Sequence, residues 1–73
     1  MLPILLGSLQ IGVDYEHNDI RKEHAGNSET CKAMCASSRG CHYFTYNLNS
    51  GACHLKSKLE NFQLHKEAVS GAK

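Results

Sequence analysis

Four cysteines, Cys31, Cys35, Cys41 and Cys53, sit in the middle of a chain of only 73 residues. A chain this short buries a smaller fraction of its surface than a larger domain does, and its apolar burial roughly cancels the entropy of ordering it. Crosslinks are the natural source of the missing stability. An even number of cysteines in a short chain reads as a disulfide framework, and so as a chain matured in an oxidising compartment outside the cytosol. The length allows one domain.

Composition removes several classes of function. The formal net charge is +1, with lysines and arginines scattered among acids, which is no electrostatic footprint for nucleic acid. No apolar span is long enough for membrane insertion. His17, His24, His42, His54 and His65 read as ordinary surface histidines. Residues 1–8 contain the apolar run Leu2-Pro3-Ile4-Leu5-Leu6. That run lacks a basic flank and is shorter than the roughly 7 to 15 residues of a signal peptide. The reading is a linker or cloning remnant at 1–8, followed by a single domain at 9–73 that belongs to a larger secreted or surface protein.

Leu9, Ile11, Val13 and Tyr15 alternate with Gln10, Gly12 and Asp14, the period of a half-buried strand. The stretch from His17 to Gly26 is polar and fits a loop or a short edge strand closed by Gly26-Asn27. Ser28 offers an N-cap hydroxyl and Glu29 a first-turn anion, so a helix is expected over Thr30–Ser37, stopped by Gly40. So short a helix must be pinned by packing or crosslinks. Cys41 to Tyr46 is rich in residues that fit a pleated surface, and Ala52 to Ser57 resumes an alternation beyond the turn cluster Asn47-Leu48-Asn49-Ser50-Gly51; together they read as a β-hairpin. Another short strand or two is expected around Gln63 and Val69.

Four cysteines allow three pairings. The elements above choose among them. Cys31 and Cys35 are four apart and share a helix face. A hairpin turning about Asn49 sets Cys53 opposite Thr45, on the face shared by Tyr43 and Cys41. The strand runs back along the helix, which brings Cys35 near Cys41 and Cys31 near Cys53. The expected staples are Cys31 with Cys53 and Cys35 with Cys41. A zinc site using these thiols with His42 or His54 is disfavoured, because the cysteines do not form paired short knuckles and neither histidine has a second one at helical spacing.

The ordered runs Gly12-Val13-Asp14-Tyr15, Asn18-Asp19-Ile20, Ser28-Glu29-Thr30-Cys31-Lys32-Ala33-Met34-Cys35, Gly40-Cys41-His42-Tyr43-Phe44-Thr45-Tyr46-Asn47, Cys53-His54-Leu55-Lys56-Ser57 and Val69-Ser70-Gly71 resemble the PAN/apple superfamily. The wording is most similar to apple domains of apicomplexan microneme adhesins; related modules occur in plasma prekallikrein, coagulation factor XI and hepatocyte growth factor. The resemblance implies an α+β fold, with about five antiparallel strands cradling one helix and two disulfides. It also implies an extracellular adhesive module, micronemal if the source is apicomplexan, that binds a glycan, galactose-type sugars among them, or a protein partner. The family's frequent third disulfide, which ties the termini, has no cysteines here.

An enzyme would need a nucleophile with its base, a carboxylate pair in a cleft, or a metal. No such constellation is present, and neither a catalytic nor a metal role is assigned; no cofactor is expected. For binding, the hairpin face opposite the helix is expected to carry His42, Phe44, Tyr46, His54 and Lys56, where rings and polar tips would meet a ligand. The candidate contacts are Tyr46, His54, Lys56 and Lys58. The competing reading makes Phe44 and Tyr46 ordinary core, covered by the segment around Val13 and Tyr15. The functional alternatives are a glycan-binding lectin domain, a protein-interaction domain, and a spacer without sugar binding.

Overall fold

The computed structural model describes residues 9–15, 19–58 and 62–73; the expected linker at 1–8 and His17 lie outside them. Leu9–Tyr15 forms β1, Asp19–His24 β2, Ser28–Ala36 α1, Tyr43–Asn47 β3, Ala52–Lys56 β4 and Phe62–Ala72 β5. The strands make one antiparallel sheet in the order β1-β5-β3-β4-β2, and α1 packs on β3 and β4. This is the α+β architecture expected from the sequence. The polar stretch before the helix contains an edge strand, β2.

Two local expectations are corrected. The helix is capped by Asn27, whose Oδ1 accepts the Thr30 N–H at 2.7 Å, so Ser28 is its first residue and not its cap. Asparagine serves as well as serine there, since either side-chain oxygen can satisfy an otherwise unbonded first-turn N–H. The C-terminal segment is one eleven-residue strand, β5, in place of short pieces. Its two ends have different partners, Phe62–Leu64 pairing with β1 and Ala68–Ala72 with β3. Leu9–Ile11 of β1 pairs with Val69–Gly71, which pairs in turn with β3. Between these partners and the Val13–Leu64 pair, Gly12 at φ +81° stands against His65–Ala68. The bulged segment turns to the hairpin instead, where the Glu67 carbonyl accepts the Leu48 N–H at 2.7 Å.

The core lies between α1 and the sheet. Cys31 is bonded to Cys53 and Cys35 to Cys41, with Cα separations of 5.5 and 5.2 Å; these are the expected pairs, although Cys53 stands opposite Tyr46 and not, as expected, on the face of Tyr43. All four cysteines are buried, together with Phe44, Leu55, Tyr46 and Ala25, and Met34 closes the edge of the cluster. With every cysteine in a disulfide, no thiolate remains to bind a metal.

The hairpin register differs from expectation by one residue. Cys53 lies opposite Tyr46, and Leu55 opposite Phe44. The chain therefore turns between Asn49 and Ser50 rather than on Asn49. The Asn47 side chain accepts the N–H groups of Asn49 and Ser50 at 2.9 and 2.8 Å, and Gly51 N–H returns to the Asn47 carbonyl at 2.9 Å. A slip of one residue moves a whole strand's side chains to the other face. Phe44 and Tyr46 thus enter the core beneath the helix and its disulfides, and Tyr43 and Thr45 take the opposite face with His54 and Lys56.

Candidate binding face

The face of the sheet turned away from α1 is built in rows by strand pairing. Asp19 of β2, Lys56 of β4 and Tyr43 of β3 share one row; Lys22, His54, Thr45 and Ser70 share the next. Directly paired residues point to the same side. A bulge at Ile20, between Asp19 and Arg21, aims Asp19 back over β4. There its carboxylate bridges two side chains. Oδ1 accepts from Lys56 Nζ, and Oδ2 lies 2.8 Å from His54 Nδ1. Beside them Thr45 and Ser70 share a buried hydroxyl–hydroxyl bond of 2.7 Å across β3 and β5.

Lys56 has a side chain only 3% exposed, and a buried ammonium is tolerable only when paired. Asp19 supplies the pairing. Partial burial works to raise the Asp19 pKa, but the hydrogen bonds and positive charges of Lys56 and His54 outweigh it and hold the carboxylate below its ordinary value. Asp19 is therefore ionised throughout the physiological range. A carboxylate offers about four lone-pair directions, of which these two bonds use half. His54 turns Nδ1 to Asp19. The half-buried Tyr43 side chain lies on the same face beside Lys56.

Of the four contacts expected from the sequence, His54 and Lys56 are brought together by Asp19. Lys58 is exposed just beyond the end of β4. Tyr46 is not on this face: it is 5% exposed in the core, and its hydroxyl donates to the Ala25 carbonyl at 3.1 Å. The cover over Phe44 and Tyr46 is the helix with its disulfides, rather than the segment around Val13 and Tyr15. Sequence reasoning missed Asp19, which lies 35 and 37 positions from its partners, and Tyr43, displaced by the register slip. Taking the polar stretch as an edge strand beside Ala52–Lys56 would have exposed the first.

The sequence pattern of the PAN domain matches residues 9–72. The chain belongs to the PAN domain family. This PAN domain is 33% identical over 48 residues to microneme antigen L2 of Sarcocystis muris, an alignment covering 66% of this chain and 35% of that protein. The chain thus spans about a third of that relative's length. Its fold matches that of TgMIC4-A5, a Toxoplasma apple domain solved in complex with lacto-N-biose, with a TM-score of 0.78 and 23% identity, covering 86% of this chain and 91% of that one. The PAN domain here is accordingly similar to apple domains of apicomplexan microneme proteins.

Proposed function

We propose that this PAN domain is an adhesive, non-catalytic binding module of a larger secreted or surface protein, and that it takes a carbohydrate on the face turned away from the helix. The observation that carries the reading is the Asp19 carboxylate holding His54 and Lys56 in one row-and-neighbour cluster with the Tyr43 ring. Sugars present vicinal hydroxyls on a ring with an apolar face. A fixed ionised acceptor, a ring nitrogen and an aromatic surface match those features, and the mutual bonds of Asp19, His54 and Lys56 hold the site in place before a ligand arrives. The fold relationship to an apple domain that binds lacto-N-biose supports a galactose-type sugar, and the microneme relative supports a role in host-cell attachment. Two disulfides support an oxidising, extracellular setting.

Titration with lacto-N-biose, followed by amide chemical shifts, tests this reading. Saturable shifts at Tyr43, His54 and Lys56, lost in Asp19→Asn while the core signals of Phe44 and Leu55 stay in place, are the expected result. If lacto-N-biose and simpler galactosides leave every amide unmoved, the glycan reading fails and a protein partner takes its place.

A further inference from the structure

The two edges of the sheet are unlike. At one edge, β2 carries Asp19, Arg21, Lys22 and Glu23 within six residues and is bent by its bulge at Ile20. Charges and bulges are the means by which proteins keep an edge strand from pairing with another chain. At the other edge, β1 has no charged residue from Leu9 to Val13, and among the described residues its one neighbouring strand is β5. Two large side chains on this strand face solvent, Leu9 at 46% and Ile11 at 78% exposure. Both lie on the helix side of the sheet, because they pair with Gly71 and Val69, which oppose Phe44 and Tyr46. Beside Leu9, a hollow of about 400 Å³ opens toward Ser28, Glu29 and Lys32 of α1.

We infer that the Leu9–Ile11 edge docks a second copy of this chain, strand to strand and antiparallel. Such a contact is self-complementary, each copy offering the same patch. A two-fold axis through Gln10 sets Leu9 of one copy against Ile11 of the other, twice, so four apolar side chains meet on the helix side while the main chains exchange hydrogen bonds. No charge is opposed by a like charge in that register. The same operation on β2 would set Arg21 against Arg21 or Lys22 against Lys22 of the two copies. The straight stretch before the kink at Gly12 is the part that pairs, and it is short. Two side chains and three residues of main chain fall well below the roughly 800 Å² per partner of a standard interface. The association is therefore weak and concentration-dependent, of the kind that becomes effective when copies are tethered side by side.

Amide hydrogen exchange and sedimentation on the full chain, across a dilution series, decide the matter. The expected result is a reversible dimer at high concentration, with the Leu9–Ile11 amides gaining protection as it forms. Ile11→Lys should abolish both effects. Ile11→Thr keeps a β-branched strand residue, guards against misfolding, and should weaken both. Arg21→Ala should leave the association unchanged. A chain that stays monomeric with freely exchanging β1 amides overturns the inference. Concentration-independent protection of the β1 amides that are not bonded to β5 also overturns it, because another segment of the chain then covers the edge. Sensitivity to Arg21→Ala would place the contact on β2 and overturn it as well.

Discussion

Replacing the disulfides one at a time by alanine pairs should destabilise the domain unequally. The Cys31–Cys53 bond spans 22 positions and the Cys35–Cys41 bond spans 6. In the loop-closure description, the unfolded chain regains about 3.4 kcal/mol of conformational freedom when the longer loop is opened and about 2.2 kcal/mol when the shorter one is. Each double substitution removes two fully buried sulfurs from the same core, so the cavity contributions are similar and the difference of about 1 kcal/mol reflects loop length. For a domain of this size, that difference lowers Tm by roughly 4 to 8 °C more in the variant without Cys31 and Cys53. Circular dichroism melts read it directly, after coincidence of near- and far-ultraviolet transitions has established two-state unfolding. If the variant lacking the short loop proves equally or more unstable, loop entropy is not what these bonds contribute. The stabilisation would then reside in native-state packing around the helix.

The Asp19 carboxylate has a folded-state pKa below its unfolded one, so its pairing stabilises the fold above the unfolded value of about 4 and is lost as pH falls through the folded value. Urea midpoints should consequently drop more steeply below that pH in the wild type than in Asp19→Asn. Gly51→Ala should cost more than Gly40→Ala, though both glycines have φ near +80°: a Cβ at Gly51 would come within 2.6 Å of the His24 ring and 3.2 Å of the Ala25 carbonyl, whereas one at Gly40 meets nothing within 4 Å. Strain at the backbone alone is worth about 1 to 2 kcal/mol, and equal melting temperatures for the two variants would contradict this account. Tyr46→Phe removes the buried bond to the Ala25 carbonyl and should lower the unfolding free energy by about 1 kcal/mol, with no change in sugar titration.

The helix, the hairpin and the crosslinks were legible because each is announced locally: Cys31 and Cys35 by helical spacing, Tyr43 to Tyr46 by residue type, and Gly40 and Gly51 as breaks. What was not legible depends on parity and on partners distant in the chain. A turn of five residues and one of four share most of the same cluster around Asn49, yet they send Tyr46 to opposite faces, and the shorter one is held by the bonds to the Asn47 side chain and carbonyl. β2 carries no apolar alternation because it is an edge strand whose side chains are largely exposed. Asp19 accordingly gave no hint that it stands beside Lys56. The length of β5 was hidden for a different reason, since Gln63–Lys66 are exposed on both faces and Ala68–Ala72 are buried on both, so neither stretch alternates.

With both covalent bonds, the helix and the aromatic core gathered on one side, the sheet acts as a partition. The buried rings of Phe44 and Tyr46, with Leu55 and the cystines, lie on the helix side, and the polar cluster lies on the other. An exchange at the exposed Lys22 leaves that core untouched, a division of labour that lets a small framework vary one surface while the other keeps it folded.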